Sequence, residues 1–242
     1  MRIDGRALDA LRPVKLTPGF TKYAEGSCLI EIGNTVVLCN ASVEEKVPPH
    51  VSAGGWLTAE YSMLPRANRQ RSPRDVTKLK LAARSAEIQR LIGRSLRGAV
   101  DLTALGERTI TVDCDVLQGD GGTRTASVTG GFVAAALAVQ KLLREGILEK
   151  NPIKCFVSGI SAGIVGGVPM LDLCYQEDSR ADVDLNCVMT DDGRIIELQG
   201  TGEGRAFSPE EAVQLIALCR AGNQALCKME KEILMRSSEE MK

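Results

Sequence analysis

Histidine is nearly missing: His50 is the only one among 242 residues. That removes most zinc-site and Ser-His-Asp schemes. Aromatics make up only 3%, so a core has to be built from Leu, Ile, Val and Ala. The eight cysteines contain no CxxC pair, and most sit inside apolar strand or helix patterns. They read as reduced core fillers, against the alternatives of zinc or disulfide roles. No apolar run is long: the stretch around Phe132 to Val139 falls short of a bilayer's thickness. The first residues, MRIDGRALDALRPVKL, carry no apolar secretory segment, so the expected setting is the cytoplasm.

The net charge of −1 hides a strong asymmetry. From Arg66 to Arg97 there are ten Lys/Arg against Asp75 and Glu87. From Asp172 to Glu203 there are nine acids against Arg180 and Arg194. A basic region and an acidic region therefore coexist on one chain.

Patterning predicts strands at 27–32 and 35–43, turning at Gly33-Asn34. An arginine-rich loop, LPRANRQRSPRD, follows a Pro/Gly-rich stretch. Ser72-Pro73 has the form of a helix start, predicting a helix from there to about Arg97. Residues 108–117 alternate as a half-buried strand, and a helix is expected from about Thr123 to Glu145. Strands follow at 155–165, 170–173, 182–190 and 194–199, the last two joined by Asp191-Asp192-Gly193. Ser208-Pro209-Glu210-Glu211 caps a final helix to about Arg236. No linker divides the chain, and 1–242 is expected to form a single domain.

Four groups of residues bear on chemistry. LQGDGGTRTASVTGG (117–131) is a glycine turn at a helix start. It ends in no GK[ST] and is not GxGxxG, so it is neither nucleotide loop. Gly119, Gly121 and Gly122 free the backbone to present amides, and the helix dipole and Arg124 favour an anion there. The plain alternative is a tight turn with an exposed arginine. On the preceding helix, Leu81, Ile88, Leu91 and Ile92 form an apolar stripe, with Arg90, Arg94 and Arg97 opposite. Arg84 falls at the inner edge of that stripe, where it needs either an acid or an anion. Arg66, Arg69, Arg71 and Arg74 put four arginines in nine residues with no acid between, which suits a polyanion. In QEDSRADVDLN, Asp182, Asp184 and Asn186 share one strand face, with Asp178 just before. Such carboxylates suit a hard cation, general acid work, or simply a solvated face.

These pieces resemble the ribonuclease PH family of phosphate-dependent 3′ exoribonucleases along nearly the whole chain. The resemblance is carried by FTKYAEGS (20–27), WLTAEYSMLPR (56–66), ARSAEIQRLIGRSLR (83–97), TVDCDVLQGDGGTRTASVTG (111–130) and EDSRADVDLNCVMTDDGRIIELQGTGEG (177–204). It implies an α/β (α+β) fold, ribosomal protein S5 domain 2-like, with mixed sheets packed with long helices. It implies phosphorolytic trimming of tRNA precursors, with rRNA as a further substrate, and reversible nucleotidyl transfer. Phosphate would be held by Arg84, Gly122, Thr123 and Arg124. Asp178 and Asp184 would bind Mg²⁺ or Mn²⁺ or act in acid catalysis. Arg66, Arg69, Arg71 and Arg74 would contact RNA across a subunit boundary in a hexameric trimer of dimers. Departures are small: Ser85 replaces a common Thr, Gly119 a common Ala, and Asn186 stands where polynucleotide phosphorylase has Lys. The competing expectation is a catalytically silent RNA-binding ring subunit, which tends to lose the arginines or the aspartates.

Overall fold

The computed structural model describes residues 2–74 and 82–240. The first sheet holds β1 (Val14–Pro18), β2 (Gly26–Ile32), β3 (Thr35–Glu44), β4 (Trp56–Met63) and β5 (Thr109–Gln118). Its order is β1-β2-β3-β5-β4, antiparallel except for the parallel β4–β5 pair. The second holds β6 (Val157–Val165), β7 (Val168–Leu171), β8 (Val183–Thr190) and β9 (Ile195–Gly202), antiparallel in the order β7-β6-β8-β9. Gly33 at φ +56° and Gly193 at φ +85° make the two expected hairpin turns.

Three long helices cover these sheets: α1 (Ala83–Ala99), α3 (Thr123–Arg144) and α5 (Pro209–Glu240). Two single turns, α2 (Leu102–Leu105) and α4 (Tyr175–Asp178), complete the described elements. α3 lies between the sheets. On one side, a Cβ on Gly130 would meet Ile30 at 2.7 Å, and one on Gly26 would meet the Ala134 carbonyl at 2.1 Å. On the other, the Gly159 amide donates to Thr129 Oγ1 at 3.1 Å. Small residues thus let one helix serve two sheets at backbone contact distance. α3 is apolar and long enough to cross a membrane, longer than the 132–139 run alone suggests. Most of it is buried inside the protein, as a core helix is.

The helix expected from Ser72 begins later. Residues 72–74 are not helical, and Ala82, at φ −62° and ψ 138°, is extended just before α1. The Ser72 amide donates to the Pro65 carbonyl at 2.9 Å, closing the arginine loop rather than capping a helix. Leu81 lies outside the described residues. The rest of the stripe holds, with Ile88, Leu91 and Ile92 buried. β1 and β4, absent from the expected strands, add a strand to each edge of the first sheet, and β4 alternates buried and more open residues along its length. All eight cysteines are free, and all but Cys155 and Cys174 are buried.

Candidate active site

The end of β5 and the start of α3 are joined by Gly119–Gly122. Gly121 (φ +79°) and Gly122 (φ +65°) both occupy the left-handed region. No side chain caps α3, so its first amides have no side-chain acceptor. The turn is held from behind. Arg12 is buried; its Nη2 lies 2.7 Å from Asp172 Oδ1 and its Nε 3.1 Å from Oδ2. The same guanidinium donates to the Asp120 carbonyl at 2.6 Å, and Thr35 Oγ1 donates to the Gly121 carbonyl at 2.7 Å. With these carbonyls tied backwards, Gly121, Gly122 and Thr123 line a cleft on the other side.

That cleft encloses about 610 Å³. Arg84, Gly122, Thr123, Arg124, Asp178 and Asp184 all line it, together with Asn186 and Glu203. The six residues expected at the reaction centre therefore come together from α1, α3, α4 and β8. Thr123 Oγ1 pairs with the buried Tyr61 hydroxyl at 2.9 Å. Burial raises the Tyr61 pKa, so this hydroxyl stays protonated and available as a donor. Arg124 Nη1 donates to Gln199 Oε1 at 2.8 Å and lies 3.4 Å from Glu87 Oε1. Glu87 is half exposed, so this ion pair is weak and leaves the guanidinium free to meet an anion.

Arg84 departs from the expected inner edge. It sits in the first turn of α1 and is exposed, reaching into the cleft rather than the core. The late helix start is the reason: the core-facing stripe begins only at Ile88.

The aspartates are coupled. Burial pushes the Asp184 carboxyl up to about 6, and the neighbouring Asp178 charge pushes it the same way. Asn186 Nδ2 donates to Asp184 Oδ2 at 2.9 Å and pulls against them. Asp178 is also raised by burial, with Arg84 and Arg124 acting in opposition. It is anchored from below by the buried pair Arg2–Glu177, 2.7 Å apart. Asp182, expected beside Asp184, precedes β8 and lines no part of the cleft. Among the described residues no group of three or more His, Cys, Asp or Glu is placed to hold a metal.

Arg66, Arg69, Arg71 and Arg74 are all exposed. Arg66 and Arg69 line an adjoining pocket of about 710 Å³ with Asn34, Gln118 and Asp120, and Asn68 borders both cavities. Arg71 and Arg74 line neither. Sequence reasoning passed over Arg12, Tyr61, Asp172 and Gln199. Each acts through a partner at least sixty residues away, and no local pattern marks such a contact.

An uncapped helix start flanked by two arginines and faced by two carboxylates suits phosphoryl transfer. The chain matches the 3′ exoribonuclease family, domain 1 over residues 10–140 and domain 2 over residues 155–222. A ribonuclease PH of Solibacter usitatus is 55% identical over 236 residues, covering 97% of this chain and 99% of that one. Solved structures share the fold. An Archaeoglobus fulgidus exosome with RNA bound to the active site superposes with a TM-score of 0.78 at 24% identity, over 94% of this chain and 92% of its own. The rice (Oryza sativa) Rrp46 does so with 0.76 at 20% identity, over 96% of this chain and all of its own. The chain belongs to the 3′ exoribonuclease family. Its fold is the expected S5 domain 2-like one, and it is a phosphate-dependent exoribonuclease and nucleotidyltransferase.

Proposed function

We propose that inorganic phosphate binds the start of α3, between Arg84, the Gly122 and Thr123 amides and Arg124, and there attacks the last phosphodiester of an RNA chain. A phosphate oxygen forms the new P–O bond as the bond to the 3′ oxygen of the preceding nucleotide breaks. The terminal nucleotide leaves as a nucleoside 5′-diphosphate, and the shortened RNA ends in a 3′ hydroxyl. Two anions have to meet, so the protein's contribution is charge neutralisation and positioning. Phosphate is already a nucleophile, which agrees with a chain that has one histidine. Asp184 either supplies the proton to the leaving 3′ oxygen itself or, with Asp178, holds a metal ion that would stabilise that oxygen. Run backwards, the same site adds nucleotides from diphosphates. The observation that carries this reading is the convergence of Arg84, Arg124, Asp178 and Asp184 on one cleft. A silent ring subunit has no use for that set.

Two close carboxylates fit Mg²⁺ or Mn²⁺, which take one or two protein oxygens and keep much of their water. Asp178 and Asp184 would hold the ion; once bound, it would neutralise charge on the reacting phosphates. The RNA substrates are the 3′ ends of tRNA precursors, and rRNA beside them. The exposed Arg66, Arg69, Arg71 and Arg74 contact RNA backbone from a neighbouring copy in a hexamer, a trimer of dimers working in the cytoplasm. Light scattering tests the assembly; a fully active monomer overturns it.

The roles separate kinetically. Arg124→Ala raises the KM for phosphate by roughly 100-fold while RNA binding stays near wild type. Asp184→Asn binds both substrates and loses turnover by roughly 100-fold or more. Equal loss of RNA binding and phosphate affinity in Arg124→Ala overturns the assignment.

A further inference from the structure

The charged groups of the cleft account for phosphate and for the sugar–phosphate backbone of the RNA. None of them accounts for the base of the nucleotide that is removed. We infer that Tyr175 provides that subsite: the 3′-terminal nucleobase stacks on its ring. The inference rests on the phosphorolytic reading of the cleft.

Aromatic residues are scarce in this chain, yet Tyr175 is 53% exposed on the cleft wall. Phe20 and Tyr23 are the other exposed aromatics among the described residues with large apolar side chains, and neither lines the cleft. No ring or cation contact among the described residues covers Tyr175. Apart from Met63 and Ala181, the described wall around it is charged, polar or glycine, and an uncovered ring there is a surface kept for a π partner.

Its placement is fixed relative to the chemistry. Tyr175 opens α4 and Asp178 ends it, three residues on, so both side chains leave the turn on the same side. The Tyr175 amide donates to the Asp120 carbonyl at 3.1 Å, tying it to the phosphate turn. A Cβ on Gly121 would meet the Leu173 carbonyl at 2.5 Å and the Tyr175 nitrogen at 2.9 Å. The missing side chain at Gly121 is what lets α4 seat against the turn. The backbone that carries the ring and the carboxylate is therefore seated against the Gly119–Gly122 turn. Stacking also fits the task, because every base has a π face and the enzyme has to accept whichever nucleotide comes next.

The test uses RNA with 2-aminopurine at its 3′ end, bound without phosphate so that no turnover occurs. Wild type and Tyr175→Phe quench the fluorescence; Tyr175→Ala does not. With phosphate present, Tyr175→Ala raises the KM for RNA roughly ten-fold, within the range for one lost stack, and leaves the KM for phosphate unchanged. RNA with an abasic 3′ residue suffers a similar loss with wild type and no further loss with Tyr175→Ala. Undiminished quenching in Tyr175→Ala, or additive losses, overturns the inference. So does a parallel rise in both KM values, which marks a merely structural role. Failure of the phosphorolytic reading shows separately, as wild type that releases no diphosphate from unmodified RNA.

Discussion

Arg12 and Asp172 form a buried, two-point pair at the back of the Gly119–Gly122 turn, with Nη2–Oδ1 at 2.7 Å and Nε–Oδ2 at 3.1 Å. The pair joins the segment before β1 to the residue after β7, and through Arg12 it holds the Asp120 carbonyl. Fold stability and the geometry of the Gly119–Gly122 turn are thus tied to the same two side chains.

Arg12→Ala leaves the buried Asp172 carboxylate with Arg6, 3.5 Å away, as its remaining cation. Breaking a buried pair outright costs about 3–5 kcal/mol, and with Arg6 in place the loss falls below that range. The midpoint of denaturant unfolding falls accordingly, and under native conditions the KM for phosphate rises. A variant as stable as wild type with an unchanged phosphate KM contradicts the positioning role.

Gln199 reaches Arg124 from β9. Gln199→Ala removes one charge-assisted hydrogen bond while Glu87 stays, so the loss is about 1 kcal/mol, roughly five-fold in the KM for phosphate. Turnover at saturating phosphate is unchanged. Steady-state kinetics at varied phosphate measures this, and a fall in turnover alone contradicts it.

Glu230 on α5 is fully buried, and neither carboxylate oxygen has a hydrogen-bond partner among the described residues. Burial raises its pKa well above the glutamate range, with Asp191 adding to the shift. In the folded chain it holds its proton at pH values where the unfolded chain has lost it. Stability is therefore unaffected below the unfolded pKa of about 4.3 and falls as pH rises from there toward the folded pKa. Glu230→Gln removes that slope. Unfolding temperatures measured from pH 4 to pH 8 show a difference, variant minus wild type, that grows with pH. A constant difference contradicts a protonated Glu230.

Much of this was legible from residue order. Gly33-Asn34 marked its hairpin, Thr123 marked the start of α3, and Ser208-Pro209 marked that of α5, because turn and cap chemistry is local. Arg84, Gly122, Thr123, Arg124 and both aspartates were legible as a set through the ribonuclease PH resemblance, and one cleft gathers them. Ser72-Pro73 misled, since its cap pattern is spent on closing a loop to Pro65. Arg84 shares the angular side of the stripe but lies one turn before its first buried residue, and a helical wheel carries no information on where the helix begins. Arg12, Asp172, Tyr61 and Gln199 were invisible, since each matters only through contacts that folding creates.

The central claim is that phosphate, not water, is the nucleophile. Incubation of RNA with ³²P-labelled inorganic phosphate tests it directly. The label has to appear in the β position of released nucleoside diphosphates, and cleavage has to stop when phosphate is removed. Release of unlabelled nucleoside monophosphates, continuing without phosphate, contradicts it.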